Sequence, residues 1–280
     1  MKRTIVTEDC PFRNSTFFVP NDGESHPGII LLHGAEGGGS PFWKGSALMY
    51  AANGFATLAY CYFGRNDSLW GPRETLVNFD LEELDEALTW LKLSSFVKDQ
   101  KVALAGASRG AELALLYASL TANEKIFTQP DCISVHCPSD ETYGSWNLDW
   151  EDDRCWIKKE PQNPPRGSHP GPSSVWNEKC GLDPRKLPDH MKTAWKWKGQ
   201  AIPANFRIPV ENIEVPVFIS HGLNDDVWSV EKTKKIEASM RSANKMPEVH
   251  YFEGEGHNLG RLAGGKRMES VLDFLSKNLI

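Results

Sequence analysis

The segment Gly106-Ala107-Ser108-Arg109-Gly110 stands between an apolar run at 101–105 and a Leu/Ala-rich stretch that starts at Ala111. G-x-S-x-G placed straight after a strand and straight before a helix is the setting of a nucleophile elbow, a strained turn that lifts a serine oxygen off a sheet edge. Few folds accommodate it. A strand must end on the turn, a helix must begin on it, and the residues at 106 and 110 must be small where the two converge. The competing role for the same five residues is a tight structural turn.

The rest of the chain supplies the sheet that such a turn needs. Short apolar runs at 28–32, 55–60, 101–105, 132–136, 215–220 and 248–252 are predicted strands, with an earlier one near 15–19. Helical patterns lie between and after them, at 80–93, 112–120, 229–242 and 268–279; in the first, Leu81, Leu84, Leu88 and Leu91 form one apolar stripe. Strands alternating with helices predict an α/β chain, and with the elbow an α/β-hydrolase fold. Its central sheet is expected to be mostly parallel, with helices on both faces. The 280 residues suit a single domain.

One stretch, about 138–209, breaks the rhythm. It carries six of the ten tryptophans (Trp146, Trp150, Trp156, Trp176, Trp195 and Trp197) and prolines at 161, 164, 165, 170 and 172. Disorder normally goes with few aromatics, so this composition predicts a packed Trp/Pro-rich lid insertion over the sheet's C-terminal edge.

Charge and composition exclude several classes. A net charge of −6 argues against nucleic acid as partner, and no run of about 18 apolar residues is present to span a membrane. The basic Lys2-Arg3 is followed by Glu8, Asp9 and Cys10, not by an apolar leader core. The six cysteines (10, 61, 132, 137, 155 and 180) include no C-x-x-C pair, which favours reduced, mostly buried thiols over a disulfide framework or a zinc site. The expected location is the cytoplasm.

A serine hydroxyl attacks only when a neighbour accepts its proton. Of the six histidines after Ser108, His257 alone lies in a Gly-flanked loop, Gly254-Glu255-Gly256-His257, between the last strand and the last helix. His257 is the expected base; His221 and His250, in or at the end of strands, are expected to pack. Asp225, three residues after Gly222, is the expected acid that orients the base, with Asp226 as the alternative. Backbone N–H groups of Arg109 and of Ala35, in the loop His33-Gly34-Ala35-Glu36-Gly37-Gly38-Gly39, are the expected oxyanion-hole donors. His33 is read as a loop-ordering residue. No metal or organic cofactor is implied.

Three segments together resemble the bile acid-CoA:amino acid N-acyltransferase/acyl-CoA thioesterase C-terminal domain family, a dienelactone-hydrolase-like group. They are His33 to Gly39 with Pro41-Phe42-Trp43-Lys44-Gly45-Ser46-Ala47, Asn53 to Tyr60 with Tyr62-Phe63-Gly64, and the elbow through Leu115. Ile208-Pro209-Val210-Glu211-Asn212-Ile213, Pro216, Asp225 and Trp228 are similar to that family's approach to its acid. The resemblance implies a small-molecule acyl ester or thioester as substrate. Ser108, where amidating members have cysteine, favours water over an amine as acyl acceptor. Residues 156–210 hold ten Lys or Arg against four Asp or Glu, which suits an anionic substrate such as an acyl-CoA. The alternatives are an acyltransferase using the same acyl-enzyme and a non-catalytic binding protein on a hydrolase scaffold.

Overall fold

A computed structural model describes residues 3–64, 75–147, 150, 155–157, 175–181 and 183–280. In chain order the strands are β1 (Ile5–Glu8), β2 (Thr16–Pro20), β3 (His26–Leu32), β4 (Ala56–Tyr60), β5 (Phe79–Asp80), β6 (Val97–Ala107) and β7 (Cys132–His136). The short β8 (Trp156–Ile157), β9 (Val175–Trp176), β10 (Trp195–Trp197) and β11 (Gln200–Ile202) follow, then β12 (Val217–Gly222) and β13 (Glu248–Phe252). The helices are α1 (Pro41–Ala52), α2 (Leu81–Leu93), α3 (Arg109–Thr121), α4 (Val230–Ser242) and α5 (Arg261–Leu279).

Eight strands form one sheet in the order β1-β2-β4-β3-β6-β7-β12-β13. From β4 to β13 all pairings are parallel, and only β2, antiparallel to both its neighbours, reverses direction. Alternation along the central strands sorts side chains to two faces. Ile30, Leu32 and Leu104 join the core under α2, α3 and α4, whereas Ile29, Leu31, Ala103 and Ala105 join the core under α1 and α5. Both faces are thereby covered, which is why these strands read as continuous apolar runs. Each fully buried leucine of the α2 stripe contributes roughly 1.5–3 kcal/mol of apolar burial.

Three elements differ from the sequence expectation, each for a legible reason. Helix α1 has no clean stripe: Trp43, Ala47, Tyr50 and Ala51 are buried while Phe42, Leu48 and Met49 lie exposed beside them. Its start is nonetheless signalled by Pro41 in the first turn. Helix α5 begins at Arg261 rather than 268, its first turns hidden by Gly264, Gly265 and Lys266. Strand β6 begins at Val97 rather than 101; its first half, Lys98-Asp99-Gln100, is exposed and polar and gives no apolar signal.

Described parts of 138–209 are tied to the core. β10 pairs with β11 and, in parallel, with β5, and Trp195 is fully buried against Tyr62 and Phe79. The prolines at 161, 164, 165, 170 and 172 and the cations at 158, 159 and 166 lie outside the described residues. A small satellite core unites Trp150, Cys155, Trp176 and Leu187.

Cys155 and Cys180 in that cluster form a disulfide, which corrects the expectation of reduced thiols; Cys10, Cys61, Cys132 and Cys137 are thiols. A separation of 25 residues gives no sequence signal, since only folding brings the two Cα atoms to 5.7 Å. Closing a loop of that length stabilises by roughly 3–4 kcal/mol in the chain-entropy description. Non-reducing peptide mapping is expected to recover the peptides of Cys155 and Cys180 linked, and to separate them after reduction. Among the described residues no helix is long and apolar enough to cross a membrane.

Candidate active site

Strand β6 ends at Ala107, α3 begins at Arg109, and Ser108 is the single residue between them, at φ 53° and ψ −121°. That backbone region is open to glycine and strained for a residue with a side chain, at a cost of about 1–3 kcal/mol. The flanking glycines make the turn possible. A Cβ at Gly106 would stand 2.5 Å from the Gly110 carbonyl, and one at Gly110 would stand 2.4 Å from the Leu32 oxygen. Ser108→Gly is therefore expected to melt about 2–4 °C above Ser108→Ala, because glycine relieves the turn and alanine does not. Differential scanning calorimetry of the two variants reads this directly.

His257 follows β13 in a loop that crosses the end of β12. The crossing needs Gly222, where a Cβ would lie 2.3 Å from the Gly256 oxygen. Asn224 N–H donates to the Glu255 carbonyl at 2.8 Å, stitching the two loops together. His257 Nδ1 lies 2.7 Å from Asp225 Oδ2, whose side chain is fully buried, whereas Asp226 is exposed. The other Asp225 oxygen accepts from the N–H groups of Val227 and Trp228 at 2.8 and 2.9 Å. His221, buried at the end of β12, places Nε2 3.1 Å from Asp225 Oδ2 and Nδ1 2.7 Å from the Thr233 hydroxyl. Burial by itself would raise the Asp225 pKa. Hydrogen bonds from His221, His257 and the Trp228 amide outweigh it and hold the carboxylate far below its ordinary range.

His136, at the end of β7, touches the backbone of both Ser108 and His257. Its carbonyl accepts from Ser108 N–H at 2.9 Å, and its Nε2 lies 3.2 Å from the His257 carbonyl. Burial, then the nearby Arg267 and His257 charges, push its pKa down to about 3, so the ring is neutral. The Ser108 hydroxyl makes no hydrogen bond to any described residue, which is common before substrate tightens such a site.

The loop after β3 lies against the elbow: a Cβ at Gly34 would be 3.4 Å from Ser108 Cβ. His33 is buried, stacks on Tyr62 with ring centroids 4.1 Å apart, and bonds the Gly34 carbonyl through Nδ1 at 2.9 Å. Gly34 N–H donates to Glu36 Oε1 at 3.0 Å. Among the described residues the Ala35 and Arg109 amides have no acceptor, as an oxyanion site requires of its donors. The Arg109 side chain turns away, pairing with the buried Glu112 at 2.8 Å and donating to the Gly144 carbonyl at 2.6 Å.

Solved structures share this architecture from end to end. A putative dienelactone hydrolase from Klebsiella pneumoniae superposes with a TM-score of 0.62 at 10% identity, covering 98% of each chain. The butyrate-bound esterase 2 of Thermogutta terrifontis superposes at 0.56 with 17% identity, over 94% of this chain and 88% of that one. The chain has the α/β-hydrolase fold. Residues 191–280 of this chain match the prolyl oligopeptidase family, the segment that holds Asp225 and His257. In sequence it is 36% identical to acyl-coenzyme A thioesterase 6 of Mus musculus over 117 residues, 42% of this chain and 26% of that protein. It is 36% identical to acyl-coenzyme A thioesterase 1 of Homo sapiens over 104 residues, 37% of this chain and 23% of that one. The chain thus spans about a quarter of the length of the curated relatives it matches.

Several groups at the site carry no sequence signal. His136 reads as a strand residue, and Glu36 as one acid in a glycine loop. Burial raises the Glu36 carboxyl, with the His257 charge opposing. Cys137 Sγ, His221 and Asp225 lie within 4.8 Å of one another, a grouping of metal-ligand types. It suits a metal poorly: burial pushes the thiol far up, and both Asp225 oxygens already accept hydrogen bonds.

Proposed function

We propose that the hydrolase cleaves acyl thioesters of the acyl-CoA kind, or carboxylic esters, through an acyl-enzyme on Ser108. The observation that carries this reading is the His257–Asp225 pair, joined at 2.7 Å at the sheet end where Ser108 is held in a strained turn. His257 Nε2 takes the Ser108 proton and Oγ attacks the acyl carbon. The Ala35 and Arg109 amides hold the oxyanion, and the C–S or C–O bond breaks as the imidazolium protonates the leaving group. Water then gives a proton to His257 and attacks the acyl carbon; the acyl–Oγ bond breaks as the imidazolium returns that proton to Ser108, and the acid leaves. Asp225 remains ionised throughout and fixes the tautomer that leaves Nε2 free to accept.

The thioester part rests on similarity to acyl-CoA thioesterases and on the surplus of Lys and Arg in 156–210. The described insertion, packed over the elbow through Arg109 and Trp195, acts as the lid in this reading. Cytoplasmic placement belongs to the same proposal; four free cysteines support it, and the Cys155–Cys180 bridge weighs against it. A parallel screen of acyl-CoAs and p-nitrophenyl esters, with Ser108→Ala as control, tests the substrate. Turnover of CoA esters lost in the control supports the thioester reading; rapid turnover of short esters with CoA esters untouched removes it.

A further inference from the structure

We propose that Trp146 of the insertion is a positioning residue for the oxyanion site, so that the insertion takes part in catalysis as well as in enclosing substrate. The proposal rests on the serine-hydrolase reading above. Trp146 Nε1–H donates to the Ala35 carbonyl at 2.9 Å, across 111 residues of chain. The indole cannot drift, because its backbone is clamped: Leu76 N–H donates to the Trp146 carbonyl at 2.7 Å, and Trp146 N–H to the Leu76 carbonyl at 3.0 Å. On either side, Ser145 N–H bonds the Lys192 carbonyl at 3.0 Å, and the Asn147 amide nitrogen bonds the Thr75 hydroxyl at 2.9 Å.

The consequence appears on counting partners around Ala35. The Gly34 carbonyl accepts from His33 Nδ1 and from Gly37 N–H, and Gly34 N–H is taken by Glu36. The Ala35 carbonyl is taken by Trp146. Among the described residues the Ala35 N–H has no acceptor, and His33 Nε2 is buried in the same turn without a partner. A peptide flanked by glycines holds its direction only as well as its hydrogen bonds hold it. Three of those bonds lie within residues 33–37. From outside the turn, the Tyr62 hydroxyl holds the His33 carbonyl at 2.8 Å and Trp146 holds the Ala35 carbonyl. The Ala35 N–H lies on the adjoining Gly34–Ala35 peptide, so loss of the Trp146 bond loosens the donor through the Ala35 Cα.

The same insertion also grips the second donor. Arg109 donates to the Gly144 carbonyl, and Glu112, one helical turn on, accepts from Tyr143 N–H at 2.9 Å and from the Trp195 indole. Residues 143–146 thus touch both residues whose amides would hold the oxyanion, Ala35 at its carbonyl and Arg109 at its guanidinium. A preorganised donor works by not having to reorient when charge develops.

Trp146→Phe keeps the ring and removes the N–H. Its kcat on an ester is expected to fall roughly 5- to 30-fold, below the 10²–10³ for losing a donor outright, with KM within about twofold. A trifluoromethyl ketone, which places an oxyanion on the enzyme, should lose affinity in parallel, while binding of the carboxylic acid product stays unchanged. Trp146→His, which retains a ring N–H, should recover part of the loss. Trp197→Phe, the same change elsewhere in the insertion, should have no effect. Wild-type kcat in Trp146→Phe, a loss confined to KM, or unchanged ketone affinity would overturn the proposal. Wild-type protein with nitrogen-15 indoles gives a test free of any folding defect: the Trp146 Nε1–H resonance should shift when the ketone adduct forms. An unmoved resonance also overturns it. Wild-type turnover in Ser108→Ala would instead remove the serine reading itself.

Discussion

Ser108→Ala is expected to lower kcat on any ester or thioester by roughly 10⁴–10⁶, the range seen when a triad nucleophile is removed. The size follows from geometry. The elbow carries its strain whether residue 108 is serine or alanine, so the variant should fold and keep KM close to wild type while losing the atom that forms the acyl bond. The residual rate would come from binding and from the Ala35 and Arg109 amides. Steady-state kinetics beside a circular dichroism melt separates the two effects: the rate collapses and the melting temperature does not.

Asp225→Asn carries the second-largest expectation, a fall in kcat of about 10³–10⁴ with little change in KM. An amide has one accepting oxygen, so it cannot serve both the imidazoles, which meet Oδ2, and the Val227 and Trp228 N–H groups, which meet Oδ1. His257 would lose the partner that keeps the proton on Nδ1, leaving Nε2 less able to take the serine proton. His221 would lose its Asp225 contact too, so this substitution touches two rings. A stability signature accompanies it. The folded protein holds the Asp225 pKa well below its ordinary 3.8. A lowered carboxylate contributes stability that is present above the unfolded value and is lost as pH falls through the folded one. The wild type's advantage over Asp225→Asn is therefore expected to be constant from pH 7 down to about 5, then to shrink below about pH 4. Chemical denaturation at several pH values measures it; an advantage that grows on acidification would contradict the ionised, hydrogen-bonded state of Asp225.

Much of the fold was legible because burial on both faces writes itself into composition. Residues Gly28 to Leu32 and Val102 to Ala105 read as apolar runs since helices cover both sides of the sheet. The elbow was legible for a steric reason, as only glycine fits at 106 and 110. The position of Asp225 was marked by its spacing from Gly222, whose missing side chain lets the His257 loop pass. What could not be read depends on contacts between distant segments. The bond from Trp146 to Ala35, the meeting of Cys155 with Cys180, and the contacts of His136 with the backbone of Ser108 and of His257 exist only once the chain has folded. The tryptophan-rich composition predicted a packed insertion, but not that its indoles would bond to the 33–39 loop and to Glu112. Helix α1 was obscured by its own exposed Phe42, Leu48 and Met49.

The most direct measurement is to quench the enzyme during turnover of a slow ester and locate the acyl group by peptide mass mapping. The mass of the acyl group is expected on the peptide that contains Ser108, and it should be absent after His257→Ala, which leaves the serine without a base. An acyl group found on Cys137 or another residue, or turnover that persists with residue 108 unmodified and replaced by alanine, would contradict a nucleophile at the elbow.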